Sequence, residues 1–406
     1  MAESKLNIII VGSGLAGLGA ASVLREHHNV TVYERGGSEA ATGGQGICLF
    51  SNGVKILQSI GFDADRSGGV PCHGYRLFDK AGKRVKDFPI DFKGRYGADT
   101  LTMKRSDFRE ELLRLATAPP ADGIKGEPVR MVFNTAVDDV DPEAASVTLH
   151  DGSVITGDVV IIADGVHSRL RKRITGDETH RAKKNGNTCY RIAISSAEVK
   201  EALGYLPEWW HPETADNRIN ALQTLDGTNR MVAPYPLRHY EYMNISCLFP
   251  TRKDRGDIEE SWYADGDRKE LISTFDDFYE PIRKILSIAK EVKVWDLQDM
   301  DPLPNWHRGR AIVIGDAAHA MTPMQGQGAN MAMEDADSLR LLLLGMKEDD
   351  IKSVLAKIDA VRRPRAARVL QDTRLQADEI TMEERLANMD YNCSYNGVYE
   401  ALKELE

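Results

Sequence analysis

The chain has 406 residues, of which 42% are hydrophobic and 28% charged, and its formal net charge is −10. This length and composition predict a globular protein with two or three structural units, and they exclude a collagen-like, coiled-coil or wholly disordered chain. The acidic balance disfavours nucleic-acid binding, which needs local positive charge.

The start of the chain predicts a β-α-β unit. Residues 6–11 are a run of apolar and β-branched residues suited to a buried parallel strand, and residues 30–33 are a second such run. Between them, residues 15–28 carry apolar side chains at helical spacing. This order predicts an open parallel sheet with crossover helices.

A G-x-G-x-x-G motif, formed by Gly12, Gly14 and Gly17, joins the first strand to the helix. The first glycine permits the tight turn, the second lets a pyrophosphate approach the backbone, and the third allows close packing of helix and strand. The helix N-terminus attracts the phosphates, and Glu34 at the end of the next strand can accept hydrogen bonds from a ribose. We therefore predict a dinucleotide site that includes Glu34 and its neighbour Arg35, although this motif alone does not distinguish FAD from NAD.

The middle of the chain differs in pattern. Short alternating or β-branched runs, separated by turn residues, cover residues 188–194, 220–225, 230–235 and 242–249. They predict an antiparallel sheet and hence a second domain, followed by a helix over residues 273–290.

A last strand–helix unit is predicted near the C-terminal end. Residues 311–314 read as a buried strand, residues 315–328 as a glycine-bearing loop and residues 329–344 as a helix. Residues 347–406 are polar and helical in pattern, and Pro364 predicts a break.

Three further motifs indicate a family. Gly-Asp-Ala-Ala-His at residues 315–319 precedes Gly328-Ala329-Asn330, Asp164 and Gly165 follow the apolar strand at residues 159–162, and residues 101–108 read Leu-Thr-Met-Lys-Arg-Ser-Asp-Phe. In this order the motifs resemble those of the FAD-dependent aromatic hydroxylases, the single-component class A flavoprotein monooxygenases. A Pro-Leu-Pro-Asn-Trp segment at residues 302–306 is similar to segments of the salicylate hydroxylase-like branch.

The resemblance implies roles for particular residues. Asp316 would hold the ribityl chain of FAD, and Gly328, Ala329 and Asn330 would contact the isoalloxazine. Asp164 would contact FAD and NAD(P)H, and Arg105 would contact FAD. Gly46, in a weaker match over residues 44–47, would lie beside the flavin.

Two further sites contain arginines that the motifs do not assign to the cofactor. Arg109 is interpreted as a solvated residue on the helix surface. Four of the five residues at 169–173 are Arg or Lys, and they form either a solvated helix face or a contact for nicotinamide-cofactor phosphates.

The resemblance also implies the architecture, a doubly wound Rossmann-like α/β FAD domain, a mostly antiparallel β-sheet substrate domain and a C-terminal helical segment. The predicted segments are 1–75, 97–178 and 292–345 for the FAD domain, 76–96 and 179–291 for the substrate domain, and 346–406 for the C-terminal segment.

The implied reaction uses NADH or NADPH to reduce FAD, after which O2 forms a flavin C4a-hydroperoxide that hydroxylates a phenolic or aromatic-acid substrate. Arg191, on a strand of the middle sheet, would face the substrate, or else solvent on the alternate face. Tyr235 would line the same cavity or pack internally. A single nucleotide-binding unit and the absence of a C-x-x-C pair disfavour the disulfide reductases.

Other outcomes of the same chemistry stay open, namely epoxidation, dearomatisation, peroxide formation, or flavin binding without turnover. No metal-ligand spacing occurs among the ten histidines. No apolar run approaches the length of a membrane span, no secretory signal is visible, and five scattered cysteines indicate a reducing compartment. We expect a cytoplasmic monomer or homodimer that binds a small aromatic molecule and O2 and binds no nucleic acid.

Overall fold

The computed structural model describes residues 4–38, 45–121, 123–210, 212–214, 216–252, 265–375 and 381–404. Residue 44 of the weaker flavin-side match lies outside these ranges, as do short stretches of the predicted domain segments.

Nineteen strands occur in the described residues. The first ten are β1 Asn7–Val11, β2 Asn29–Tyr33, β3 Gly46–Leu49, β4 Val70–Cys72, β5 Gly74–Asp79, β6 Arg84–Pro89, β7 Thr100–Lys104, β8 Arg130–Val132, β9 Val137–Asp141 and β10 Ser146–Leu149. The others are β11 Val154–Thr156, β12 Val159–Ile162, β13 Lys183–Ser195, β14 Ile219–Gln223, β15 Met231–Leu237, β16 Tyr242–Pro250, β17 Lys293–Asp299, β18 His307–Arg308 and β19 Ala311–Val313.

Thirteen α-helices accompany the strands in the same ranges. They are α1 Leu15–Leu24, α2 Ser51–Gln58, α3 Phe92–Tyr96, α4 Arg105–Thr117, α5 Arg171–Thr175, α6 Ser196–Leu203, α7 Arg268–Thr274, α8 Glu280–Ile288, α9 Asp316–His319, α10 Gly328–Ser338, α11 Glu348–Arg374, α12 Met382–Cys393 and α13 Val398–Lys403. Single 3-10 turns occur at Pro212–Thr214, Pro323–Gln325 and Leu339–Leu341. None of these helices has the length and apolar character needed to cross a membrane.

The first sheet has six strands in the order β18-β19-β12-β1-β2-β8. Its pairs are parallel except for the edge strand β18. In the centre, Ile9 of β1 lies opposite Val160 of β12 and Thr31 of β2. The central strands are buried on both faces, which is why β12 and β1 after its exposed first residue, Asn7, consist of apolar residues. The predicted parallel sheet and its β-α-β start are confirmed.

The second sheet has seven strands in the order β17-β13-β16-β15-β14-β5-β6. Five of its six pairs are antiparallel, and β14 with β5 is the parallel exception. One face packs on the apolar residues of α7 and α8, such as Leu271 and Ile282. The alternating burial of these strands leaves their other face for a cavity. The predicted mostly antiparallel second sheet is confirmed.

Three local predictions were wrong. The helix predicted over residues 273–290 is two helices, α7 and α8, separated by five residues. Strand β17 pairs with β13 in the second sheet, whereas the sequence assigned residues 292–299 to the FAD domain. Pro364 does not break α11, which runs for 27 residues through it. Proline in a helix costs about 3 kcal/mol, and the buried face of α11, with ion pairs from Arg362 and Arg365, offsets that cost.

Candidate active site

A cavity of about 880 Å³ lies between the two sheets. One side, which we call the cofactor wall, consists of the loops and helix starts around Gly14, Gly46, Asp316 and Gly328. The other side, which we call the substrate wall, is the open face of the seven-stranded sheet and includes Arg191. Eight of the predicted site residues line this cavity, namely Gly14, Gly46, Arg105, Arg191, Tyr235, Asp316, Gly328 and Ala329. Gly12, Gly17, Glu34, Arg35, Asp164 and Asn330 are not among its lining residues.

The glycine turn of the cofactor wall is shaped by close backbone contacts. Gly12 has a positive φ of 100°, and a Cβ at this position would lie 2.4 Å from the carbonyl oxygen of Ala163. A Cβ on Gly17 would lie 2.0 Å from the carbonyl oxygen of Gly12. A Cβ on Gly14, by contrast, would meet nothing within 4 Å, because this residue borders the cavity. Two of the glycines thus shape the turn, and the third leaves room for a ligand.

Glu34 holds the turn from the side. Its carboxylate accepts hydrogen bonds from the Ser13 backbone N–H at 2.8 Å, the Ser13 hydroxyl at 2.9 Å and the Gly36 N–H at 2.7 Å. Burial opposes ionisation of Glu34, but these hydrogen bonds outweigh it and lower the pKa of the carboxyl. The group is therefore an anionic acceptor next to the glycine turn, and the neighbouring Arg35 is exposed.

Arg109 also belongs to this cluster, although the sequence analysis did not place it there. Its side chain is buried, with the residue only 7% exposed, and it donates to the Ser13 hydroxyl at 3.1 Å. The interpretation as a solvated residue was wrong, because the Ser13–Glu34 turn covers this face of α4. A signal was present in the sequence. Arg105 and Arg109 are four residues apart and share one helix face, and Arg105 lines the cavity.

Gly46 is held between the two walls. Its N–H donates to the side-chain oxygen of Asn244 on β16 at 2.8 Å. A Cβ at this position would lie 2.7 Å from the Asn244 Cβ and 2.7 Å from the Tyr235 hydroxyl. Only glycine allows the flavin-side strand β3 to approach the substrate wall this closely. Asn244 was not a predicted site residue, because nothing in β16 itself indicates which loop packs against it.

Asp164 lies behind the glycine turn. One carboxylate oxygen accepts from the Arg169 N–H at 3.2 Å, and the other, Oδ1, is buried without a hydrogen-bond partner in the described residues. Burial raises the pKa of this carboxyl above its usual value. Neither interpretation of the cationic stretch holds for Arg171, which is 3% exposed and donates to the carbonyl of Ala317 at 2.6 Å. Its task is to position the backbone of α9.

The second cofactor loop begins at Gly315 and continues into α10. Asp316 opens α9, and Gly328 and Ala329 open α10, and all three line the cavity. Asn330 is fully buried instead. Its side-chain oxygen accepts from the Phe50 N–H at 2.8 Å, and its amide donates to the carbonyls of Gly326 and Cys48. The Asn330 side chain therefore fastens two cofactor loops together, and its predicted flavin contact stays a prediction.

A buried ionic cluster supports these loops from behind, and the sequence analysis did not predict it. Glu334 on α10 accepts from Arg362, from Arg365 at 2.6 Å and from the Asn52 amide at 2.8 Å. The adjacent Asp335 accepts from the Gly315 N–H at 2.9 Å, from His319 at 2.6 Å and from Arg362 at 3.0 Å. Burial opposes ionisation, yet the two arginines lower the pKa of Glu334. The carboxylates therefore connect α10 and α11 to the loop that carries Asp316.

These observations fit FAD. The Cβ position of Gly14 points into free space, the buried Oδ1 of Asp164 has no donor among the residues that the structure describes, and anionic Glu34 lies beside the turn. Asp316 and the start of α10 line the same cavity and offer polar groups to a long dinucleotide. Gly14, Glu34, Asp164 and Asp316 are thus the residues that would hold the cofactor, and these individual contacts stay predictions.

The substrate wall is largely apolar. Successive strands present alternate residues to the cavity, and most of them are hydrophobic. They include Leu77, Ile219, Ala221, Met231, Ala233 and Leu248. Ser246, Gln223 and Tyr235 add neutral polar groups. An apolar cavity with a few polar groups is typical of a small-molecule site.

Arg191 brings a cation to this wall. It lies on β13 opposite Ser246, and its guanidinium is stacked 4.3 Å from the ring centre of Trp295. Its Nε is buried and has no hydrogen-bond partner in the described residues, and no carboxylate of those residues forms an ion pair with it. The residue as a whole is only partly buried, but a buried N–H without an acceptor is costly. Of its two predicted orientations, toward the substrate cavity or toward solvent, Arg191 has the first, because it lines the cavity. Its guanidinium can therefore bind an anionic ligand.

Tyr235 lies on β15 with its ring against Gly46. It borders the cavity, so the predicted alternatives of packing and cavity lining both describe it. Burial raises the pKa of the Tyr235 phenol, and the nearby Arg191 only partly opposes this. The hydroxyl therefore stays protonated and can donate a hydrogen bond next to the flavin-side strand.

Comparison with known proteins agrees with this geometry. The family model described as FAD binding domain matches residues 5–373. FAD-dependent monooxygenase cfoG of Aspergillus candidus is 31% identical over 94% of this chain and 87% of its own length. 6-Hydroxynicotinate 3-monooxygenase of Bordetella bronchiseptica is 30% identical over 90% of each chain. In fold, a solved salicylate hydroxylase substrate complex matches with a TM-score of 0.75 and 23% identity over 99% of this chain and 98% of that one.

The fold and the cavity define a flavoprotein, and the chain belongs to the FAD binding domain family. Within that family it is an FAD-dependent monooxygenase that uses NAD(P)H, as the sequence predicted. Oxygen activation is the chemistry that FAD supplies when bound, and the protein's part is to position the substrate and exclude water.

Proposed function

We propose that the protein hydroxylates an aromatic substrate that carries a phenol or acidic group, and that Arg191 and Tyr235 hold this group. The observation that carries the proposal is the Arg191 guanidinium, which has no carboxylate partner among the described residues, whereas the nearby Lys184 and Asp296 pair with each other. A relative named for 6-hydroxynicotinate and a structural neighbour named for salicylate support the choice of an acidic aromatic ring.

Each side chain has a separate task in this proposal. The guanidinium of Arg191 binds a carboxylate or phenolate oxygen and stabilises the anionic form of the substrate. A phenolate ring is richer in electrons than a phenol and accepts oxygen more readily. The protonated Tyr235 hydroxyl donates a hydrogen bond to a substrate oxygen and fixes the ring beside Gly46. The apolar residues around them exclude water.

The test measures NAD(P)H consumption over a panel of phenols, aromatic acids and indoles, with products read by mass spectrometry. We expect consumption to be stimulated by acidic aromatics, with a product heavier by one oxygen atom. We expect Arg191→Ala to retain FAD but to lose the stimulation by about 100-fold, the scale of a lost charged hydrogen bond of roughly 3 kcal/mol. The matched control is Arg283→Ala, an exposed arginine on α8.

Two results would contradict the proposal. Unchanged stimulation in Arg191→Ala would remove this residue from the substrate site. Stimulation that yields only hydrogen peroxide with every acidic aromatic would reject hydroxylation of that class. A product formed by epoxidation or dearomatisation would keep the monooxygenase and change the reaction assigned to its substrate.

We also propose a cytoplasmic location. All five cysteines are free and buried, which agrees with a reducing compartment. Fractionation of cells with antibody detection tests this location.

A further inference from the structure

The cavity has two unlike ends along the second sheet. At the β13–β17 end, Arg191, Ser246 and Trp295 present polar and cationic groups. We call this the acidic-group end, because it is the end that would bind an acidic group of the substrate. At the opposite end, Tyr75 of β5 and Ile219 of β14 face the cavity beside Arg76, whose charge is paired with Asp216 at 2.8 Å, and we call this the apolar end. Four strand spacings separate β13 from β5, which corresponds to roughly 19 Å.

The C-terminal helix α12 closes the apolar end. Leu386, Met389 and Asn392 line the cavity and follow one another at three-residue intervals, so they share one face of the helix. Met389 packs against the cluster that contains Tyr75 and Ile219. The helix therefore supplies the third apolar surface at this end, next to the sheet and the flavin-side strand.

Helix α12 is fastened in this position by several polar contacts. Asp390 accepts from the Tyr96 hydroxyl at 2.5 Å and from Arg95 at 2.8 Å. Lys55 donates to the Cys393 carbonyl at 3.0 Å, and the Asn392 amide donates to the Gln325 side chain at 3.1 Å. These contacts reach α2, α3 and the cofactor wall. The apolar end is consequently a built wall of the cavity and not a loose flap.

Helix α12 lies outside the part of the chain that the family model matches, because that match ends at residue 373. The residues that build the cofactor wall and most of the sheet lie inside the match. Leu386 and Met389 therefore line the cavity but lie outside the region that the family model matches. A surface of this kind is suited to setting substrate choice, since hydrophobic burial rewards a ligand that fills it.

We propose that the substrate is an extended, two-ended aromatic molecule, with its acidic or phenolic group at Arg191 and an apolar arm against Leu386 and Met389. A single ring cannot contact both ends, because four strand spacings separate them. The inference rests on the proposed function, and it adds that α12 determines specificity through its apolar face.

The test compares salicylate with 4-phenylsalicylate and 5-phenylsalicylate, which keep the acidic end and add an apolar arm in two directions. Binding to the FAD-loaded enzyme is measured by the change in flavin absorbance, and kcat and KM are measured in parallel. At least one phenyl isomer is expected to bind about tenfold more tightly than salicylate, the scale of burying one apolar group.

Two variants of α12 test the wall directly. Leu386→Trp fills the apolar end and should abolish the tenfold gain of the phenyl isomers over salicylate. Met389→Ala removes contacts and should reduce the gain about fivefold, which keeps the test valid if the tryptophan variant does not fold. Leu343→Trp, at a leucine that is 53% exposed, is the matched control and should alter neither Kd.

The outcomes separate this inference from the proposed function. If salicylate binds and is oxygenated but neither phenyl isomer binds more tightly, the two-ended substrate is rejected and the proposed function stands. If the α12 variants weaken salicylate and the phenyl isomers equally, α12 is structural and does not set specificity. If none of the three compounds binds or gains oxygen, the proposed function fails for this class, and the inference fails with it.

Discussion

The two walls of the cavity are built on opposite principles. Around the cofactor wall, polar side chains form hydrogen bonds within the protein. Glu34, Asn330 and Glu334 each accept hydrogen bonds from other parts of the chain. The substrate wall is an apolar sheet face, and its cation, Arg191, lacks a carboxylate partner in the described residues. A change at an internally bonded residue of the first wall should therefore affect stability and FAD binding together. A change in the second should affect turnover and leave stability nearly intact.

The difference also teaches how each wall recognises a ligand. Around Gly12 and Gly17, backbone atoms approach so closely that a single added carbon would clash. Recognition there depends on a rigid backbone, which suits a cofactor that stays constant. On the sheet, alternating side chains can be replaced one at a time without moving the backbone. This suits a substrate site that differs between related enzymes.

The largest effect is expected from Glu334→Ala. This change leaves Arg362 and Arg365 buried without their shared carboxylate, and breaking a buried pair costs about 3–5 kcal/mol. We expect the free energy of unfolding in urea to fall by that amount and FAD to be lost, because the Asn52 contact is lost too. Glu348→Ala, which removes an exposed ion pair with Lys352 on α11, is the control and should leave stability nearly unchanged. A loss below about 1 kcal/mol in Glu334→Ala would show that the cluster does not support the cofactor wall.

A smaller and more selective effect is expected within the glycine motif. Gly17→Ala places a carbon 2.0 Å from the Gly12 carbonyl oxygen, and such overpacking costs about 3 kcal/mol and displaces the turn. Gly14→Val has open space and an ordinary backbone φ of −70°. It should therefore unfold like the wild type but bind little FAD, because its side chain enters the cavity. Urea unfolding and the absorbance of bound flavin measure the two effects separately. Normal FAD content in Gly14→Val would remove this turn from the cofactor site.

The sequence predicted the cofactor wall better than the substrate wall, for a physical reason. The glycine turn, Glu34 and the loop at Asp316 are encoded by short contiguous motifs, each next to a buried strand. Arg109 was missed because its burial depends on the Ser13 turn, 96 residues away. The sheet and its alternation were predicted, but alternation does not tell which loop or helix lies opposite a strand.

Long-range packing explains the other differences as well. Strand β17 pairs with β13, about a hundred positions away in the chain. The residues around 292 contain no local pattern that shows to which sheet the strand belongs. Asn244 contacts Gly46 across 198 residues, and α12 reaches the cavity from the end of the chain. The same limit applies to Pro364, whose helix continues because distant carboxylates hold α11.

The smallest effect on stability, and the sharpest test of the contrast, is expected from Arg191→Met in the FAD-loaded enzyme without substrate. The variant loses the cation–π contact with Trp295, worth about 1 kcal/mol, but it also removes the cost of the buried Nε, which has no acceptor among the described residues. We therefore expect the free energy of unfolding to change by less than about 1 kcal/mol, while binding of acidic aromatics is lost. The control is Arg230→Met at the residue before β15, whose guanidinium pairs with Asp277 at 2.8 Å, and its loss should lower the free energy of unfolding more. If Arg191→Met instead destabilised the enzyme by more than Arg230→Met, the guanidinium would be part of the structure, and the substrate wall would be built like the cofactor wall.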